Sequence, residues 1–301
     1  MDMKLLGRTG VQVSQLCFGT MSFGGDADEA EAGRMYAACR EAGINFFDCA
    51  DTYNGGAAEE ILGRLIAHER DEIVLTSKLA MPVGKDADLN ARGLNPRHIP
   101  RAVEASLKRL DTDRLDVLFV HRWDASTPLE ESLRALDRVV AEGKVIYLGV
   151  SNYAAWQIAK ALGLQDKHDW ARFHVIQPMY NLVKRQAEVE IFPLAQSEGL
   201  GVISYGPNGG GLLTGKFRRD QKPDGVRLVN PDIARGSTVL FPDYAAFTAK
   251  TRPFSYGRGG TSTHDALAES VAALEEAEAR ATAVEERDRE ASERALAATA
   301  A

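Results

Sequence analysis

Cysteine is scarce in this chain: Cys17, Cys39 and Cys49 are its three examples, an odd number at no metal-ligand spacing. That pattern suits a reducing cytoplasm and gives no reason to expect a metal site. Long apolar runs are missing too. Runs such as residues 117–120 fall far below the roughly 20 residues needed to cross a bilayer, and the amino terminus Met1-Asp2-Met3-Lys4 leads into Gly7 rather than an apolar signal core. A cytoplasmic protein with no membrane partner is expected. Basic residues are outnumbered, 36 against 43 acidic, for a formal net charge of -7, and no Lys/Arg-rich block could track a phosphate backbone. Nucleic acid is therefore not an expected partner. What the chain has is apolar material: 45% of its 301 residues are hydrophobic and 26% charged, enough for one large core or two modest ones and unlike a disordered or collagenous sequence.

Apolar runs recur at 16–18, 44–47, 73–75, 117–120, 145–150, 174–176 and 202–203, seven strand candidates in all. Helical spacing fills the intervals at 30–42, 58–68, 100–110, 129–142, 154–162 and 188–198, several closed by a glycine (Gly43, Gly143, Gly199) suited to a left-handed cap. Strand and helix alternating on a roughly 30-residue beat predict parallel strands joined by crossover helices. Two architectures compete, an open doubly wound sheet and a closed (β/α)₈ barrel. Each run ends at its carboxyl side in a chemically loaded group: Gly19-Thr20, Asp48, Lys78, His121, Ser151-Asn152, Gln177 and Tyr205. Seven consecutive strands feeding one rim favour the barrel, because an open sheet brings only the strands near its switch point to a ligand.

Asp48, Tyr53, Lys78 and His121 form a set with a chemical logic. A free phenol, with a pKa near 10, is a poor acid at neutral pH. An ammonium within about 4 to 6 Å favours the phenolate and lowers that value by roughly 1 to 3 units. Lys78 is expected to supply that charge, Asp48 to hold the lysine, and His121 to hydrogen-bond a substrate oxygen. The set fits general-acid assistance to carbonyl reduction. Cys49, beside Asp48, reads as a buried inert thiol.

Those residues carry a resemblance. Residues 4–217 resemble the aldo-keto reductase superfamily, particularly its bacterial members related to the potassium-channel β subunits. The segment Lys4-Leu5-Leu6-Gly7-Arg8-Thr9-Gly10 with Leu16-Cys17-Phe18-Gly19-Thr20-Met21 resembles the family's hairpin and first strand. Phe47-Asp48-Cys49-Ala50-Asp51-Thr52-Tyr53 resembles the segment with its catalytic Asp and Tyr, Thr76-Ser77-Lys78 the one with its Lys, and Asp116-Val117-Leu118-Phe119-Val120-His121 the strand ending in its His. The resemblance implies a (β/α)₈ barrel with an amino-terminal β-hairpin, a nicotinamide cofactor, usually NADPH, bound without a Rossmann fold, and Tyr53 protonating the carbonyl oxygen of a small-molecule aldehyde or ketone. It further implies cofactor contacts at Gly19, Thr20, Met21, Asp48, Ser151, Asn152, Gln177 and Tyr205. A substrate pocket would comprise Phe23, Tyr53, His121 and Trp123.

The stretch Gly210-Gly211-Leu212-Leu213-Thr214-Gly215-Lys216 matches seven positions of a phosphate-binding P-loop, but the eighth is Phe217, where that loop needs Ser or Thr on its magnesium ion. The resemblance explains it better, as a Gly-rich cover for the cofactor's pyrophosphate formed by Gly206, Pro207, Gly211, Leu212 and Gly215. Lys216, Arg227, Arg258 and Glu269 would add contacts to phosphate and adenosine. The segment Gly206-Pro207-Asn208 stands where the family has Ser-Pro-Leu.

The carboxyl end departs further. Residues 218–260 are rich in turn formers, with one weak strand candidate at 238–241, so strand eight is uncertain. Residues 264–301 hold 14 alanines in 38 residues, with no Gly and no Pro, which predicts a long terminal helix. The expected organisation is a barrel over 1–260 with a helix appended over 261–301, in a monomer or homo-oligomer. Readings from another class are a cofactor-binding regulator or scaffold with little turnover, or an inactive barrel with a damaged carboxyl end.

Overall fold

The structure, a computed structural model, describes residues 1–84 and 88–214. The chain divides into two compact units, Met1–Gly209 and Gly210–Ala301. The strand candidate at 238–241, the terminal helix and the contact residues Gly215, Lys216, Arg227, Arg258 and Glu269 lie outside the described residues.

Unit one opens with an antiparallel hairpin of β1 (Met3–Leu5) and β2 (Gln12–Ser14), paired Met3 to Ser14. Seven parallel strands follow: β3 (Phe18–Gly19), β4 (Phe46–Asp48), β5 (Val74–Leu79), β6 (Leu115–Val120), β7 (Val145–Ser151), β8 (Phe173–Gln177) and β9 (Gly201–Val202). Each is hydrogen-bonded to its neighbours in chain order, from β3 through β9. A doubly wound sheet reverses strand order at a switch point. This sheet never does, and the monotonic order is that of the (β/α)₈ barrel.

Six helices fill the crossovers: α1 (Glu29–Glu41), α2 (Ala57–Ile66), α3 (His98–Leu110), α4 (Leu129–Ala141), α5 (Ala155–His168) and α6 (Ile191–Glu198). Asp28 caps α1 by accepting from the Glu31 amide at 2.8 Å. Gly43, Gly143 and Gly199 sit just past α1, α4 and α6 at φ of 81°, 73° and 68°, the left-handed stops their positions predicted. Asp111 and Asp169 take the same conformation after α3 and α5.

Both faces of the strands are buried, as crossover helices require. Phe46, Val74, Val117, Phe119 and Val175 point to one side and pack with Leu6 and Val13 of the hairpin. Phe47, Leu75, Leu118, Val120, Leu148, Val150 and Ile176 point to the other and meet the helices. The hairpin is fastened to the sheet by Tyr147, whose hydroxyl donates to the Thr9 carbonyl at 2.9 Å. Helices α2 and α3 cross at Gly63, where a Cβ would stand 2.5 Å from the Leu110 carbonyl oxygen.

Candidate active site

Four neighbouring strands deliver the expected groups to one rim. Asp48 is the last residue of β4, Lys78 the penultimate residue of β5, His121 follows β6 and Ser151 ends β7. Tyr53 opens the short 3-10 turn Tyr53–Gly56 between β4 and α2, a turn made possible by the left-handed backbone of Asn54 and Gly55. Parallel pairing of Asp48 with Thr76 and of Lys78 with Phe119 sets the register, so residues distant in sequence meet.

Lys78 is the hub. Its side chain is 1% exposed, and its Nζ donates to Asp48 Oδ2 at 2.5 Å, to the Cys49 carbonyl at 2.7 Å and to the Tyr53 hydroxyl oxygen at 3.2 Å. An ammonium has three protons and no lone pair, so Tyr53 accepts from it. The phenolic proton is thereby left to point elsewhere. Burial presses the Lys78 ammonium toward neutrality, but the Asp48 carboxylate and Tyr53 outweigh it and the net direction is up. The lysine therefore stays charged at neutral pH.

Asp48 is held from the other side. Its Oδ1 accepts from the Thr76 hydroxyl at 2.7 Å and from Gln177 Nε2 at 3.0 Å, and its carbonyl accepts from the Thr20 hydroxyl at 3.1 Å. Burial lifts the Tyr53 phenol above its ordinary value; Lys78 pulls it down and Asp48 opposes the lysine. The sequence-based expectation of a net lowering is thus corrected. The lysine's pull is there, but the desolvation that comes with packing at the rim is larger. His121 stands edge-on to Tyr53, with ring centroids 6.1 Å apart. Burial, then the Lys78 charge, depress the imidazole to about 4, so it is neutral at neutral pH, and its Nδ1 is buried without a partner.

The expected nicotinamide-gripping residues are also drawn together. The Ser151 hydroxyl donates to the Gln177 carbonyl at 2.9 Å. Asn152, at φ 57°, donates through Nδ2 to the His121 carbonyl at 2.9 Å and to Ser151 Oγ at 3.1 Å, while its Oδ1 accepts from the Tyr205 hydroxyl at 2.7 Å. The Gly206 carbonyl accepts from Asn181 Nδ2 at 2.9 Å. Asn152, Gln177 and Tyr205 help line a cavity of 220 Å³ with Met179, Lys184 and Ile191. Gly19 ends β3, Thr20 beside it is buried, and Met21 is exposed. Pro207 is exposed, and in the second unit Gly211 and Leu212 lie in the 3-10 turn Gly209–Thr214.

Two expectations for the substrate pocket fare differently. Phe23 is fully buried and packs with its ring tilted against Phe18, centroids 6.0 Å apart, so it is a core residue that presents no surface to a substrate. Its ring is drawn inward by the aromatic cluster behind β3 and β4. Trp123 is half-buried, 5.2 Å from Tyr153 and 5.9 Å from the exposed Trp156. Cys49 is buried, and burial pushes its thiol up to about 12, as an inert thiol requires.

Sequence reasoning overlooked Thr76, whose hydroxyl fixes Asp48. It also overlooked Asp51, Glu59 and Arg109. Glu59 is fully buried and accepts from Ser77 Oγ at 2.5 Å and Arg109 Nε at 2.7 Å. The signal for Glu59 was present, since it falls on the same helical face as Leu62 and Ile66, where a charge must have a buried partner. Asp124 was missed as well. Its carboxylate accepts from the Leu94 and Ser126 amides at 2.8 and 2.9 Å and from the Thr127 hydroxyl at 2.8 Å, pinning the segment after β5 to the segment after β6.

Among the described residues no group of His, Cys, Asp and Glu could hold a metal ion, and no helix is long and apolar enough to cross a membrane. Residues 15–278 match the aldo/keto reductase family. The chain is 40% identical over 233 residues to a probable voltage-gated potassium channel β subunit of Arabidopsis thaliana, covering 76% of this chain and 70% of the relative. It is 40% identical over 225 residues to the uncharacterized oxidoreductase YrpG of Bacillus subtilis, covering 72% and 69%. With norsolorinic acid reductase of Aspergillus flavus it shares 39% identity over 215 residues, covering 67% and 55%. With its barrel strand order and that match over most of its length, the chain belongs to the aldo/keto reductase family and is, at that level, an oxidoreductase.

Proposed function

We propose that this protein reduces an aldehyde or ketone to the corresponding alcohol with NADPH, Tyr53 serving as the general acid. The observation that carries this reading is the Lys78 ammonium bonded at once to Asp48 and to the Tyr53 oxygen. That arrangement fixes the phenol and leaves its proton free to leave toward a carbonyl oxygen. As the proton departs, the charge developing on Tyr53 lies beside a cation that is already in place and needs no reorganisation. Neutral His121 is a hydrogen-bonding group, not a competing acid, and orients the same oxygen.

The rim suits a carboxamide-bearing ring. Gln177 donates through Nε2 to Asp48, which leaves its side-chain oxygen to accept from an amide, and the bonded chain of Tyr205, Asn152 and Ser151 sets a flat phenol beside it. A nicotinamide cofactor, when bound, supplies the hydride; the residues named here hold it and move the proton. Preference for NADPH rests on Lys216, Arg227 and Arg258 as the cations for its extra phosphate. The substrate is a small molecule, and neither nucleic acid nor a membrane surface is a partner. The cytoplasm is the proposed location and a monomer or homo-oligomer the proposed state.

The likeness to a channel β subunit favours one second reading, a cofactor-binding regulator with little turnover. Steady-state assay with reactive aldehydes separates the two, because an enzyme converts many equivalents and a sensor about one. In the decisive variant, Tyr53→Phe, the ring remains and the donor is lost. Carbonyl reduction should fall by about 10²–10⁴-fold while the NADPH dissociation constant stays within a small factor. Undiminished reduction by this variant would remove Tyr53 as the acid.

A further inference from the structure

Three residues beyond Asp48 lies an acid to which the mechanism above gives no task. Asp51 is 0% exposed, and neither of its carboxylate oxygens makes a hydrogen bond of full geometry, the adjacent Thr52 amide giving a partial one. An ionised carboxylate in that position is far more costly than a neutral carboxyl, because little replaces the water it loses. The nearby cations are already committed. Lys78 serves Asp48, the Cys49 carbonyl and Tyr53, and Arg109 serves Glu59. The region therefore holds two balanced buried pairs, Asp48 with Lys78 and Glu59 with Arg109, and one acid with no cation of its own.

The charged groups facing Asp51 are Glu59 from α2, Arg109 from α3 and Lys78 from β5. Its backbone is fixed to the same strand, since the Asp51 amide donates to the Lys78 carbonyl at 3.2 Å. Burial first, then the Glu59 charge, push the Asp51 carboxyl up to about 8, against the pull of Arg109, the Thr52 amide and Lys78.

We propose that Asp51 is a positioning residue held as a neutral carboxylic acid beneath the tetrad, and that its loss of a proton to solvent draws the Lys78 charge away from Tyr53. In the neutral state Asp48 is the one carboxylate that shares the lysine with Tyr53. Ionised, Asp51 adds a third buried negative charge to those of Asp48 and Glu59, one with no cation of its own, which strengthens the phenol's hold on its proton and weakens it as an acid. The consequence for turnover rests on the reductase reading; the protonation state and its effect on Tyr53 do not.

Isotope-edited infrared spectroscopy on the full chain with carboxyl-labelled aspartate reads the first half. Wild type should show a carboxylic-acid C=O band at neutral pH that fades on the alkaline side, and Asp51→Asn should lack it. Absence of the band in wild type, which requires no variant to fold, overturns the proposal, as does its persistence in Asp51→Asn. Tyrosinate absorbance reads the second half, with the Tyr53 signal defined by subtracting Tyr53→Phe in each background. Tyr53 should titrate at lower pH in Asp51→Asn than in wild type, and an unchanged titration overturns the coupling. Both readouts work without turnover, so a failed reductase assay leaves them standing and the two failures are distinguishable. Where turnover is measured, the alkaline fall in carbonyl reduction should lose one ionisation in Asp51→Asn.

Discussion

At the scale of single residues, the decisive feature is that Lys78 carries three partners on one buried nitrogen. Asp48, Tyr53, Lys78 and His121, at or just past the ends of β4, β5 and β6, were readable from sequence because parallel strands in a barrel present their carboxyl ends to one rim. The sign of the Tyr53 shift was not readable, since it is a contest between a charge and desolvation, and burial is a property of the packed rim. His121 allows a direct test of that burial. Its imidazole is held near 4 in the folded chain, against about 6.5 when unfolded. Between those values the unfolded chain binds a proton that the folded one refuses, so stability should fall as pH drops from about 6.5 to about 4, by at most about 3 kcal/mol. Chemical denaturation across that range should show His121→Gln losing less stability than wild type. Parallel curves for the two proteins would mean that the ring is solvated.

At the scale of elements, the alternation of runs placed the seven sheet strands and the six crossover helices of the described residues to within a few residues, because the sheet is buried on both faces and each helix turns one face inward. The largest miss was the carboxyl end of α5, expected at 162 and observed at His168. Gln165 carries the helix on, with a buried side chain that accepts from the Phe173 amide at 3.1 Å and donates to the Ala171 carbonyl at 2.7 Å. A polar residue on that face gave the apolar pattern nothing to extend. Gly63 makes the opposite point. In a helix interior it costs about 1 kcal/mol relative to Ala, yet here it admits the Leu110 backbone, which no alanine can do without moving α3. Gly63→Ala should therefore destabilise, by about 1–3 kcal/mol, and chemical denaturation should report it. A stabilised variant would show that the two helices slide apart freely.

At the scale of the whole molecule, the monotonic strand order decides the architecture and the hairpin seats Leu6 and Val13 beneath the interior side chains. The proposed preference for NADPH belongs to this scale, because its cations come from the far end of the chain. In a fluorescence titration of the full-length protein, Lys216→Ala should weaken NADPH binding by about tenfold or more, the loss expected of one charged hydrogen bond to phosphate. NADH binding should suffer more if Lys216 holds the shared pyrophosphate than if it holds the additional phosphate, where only NADPH would be affected. Equal binding of both cofactors by wild type would remove the proposed preference.

What the sequence by itself determined was the rhythm of strand and helix and the identity of the four polar groups that the rhythm brings to one rim. Both are local, depending on residue type and spacing. What only the tertiary structure decided was which groups are dry and which are paired: Tyr53 lifted by burial, Phe23 turned into the core, Glu59 matched with Arg109, and Asp51 left without a cation. Desolvation and pairing depend on which distant segments exclude water from a side chain, and spacing along the chain carries no measure of that.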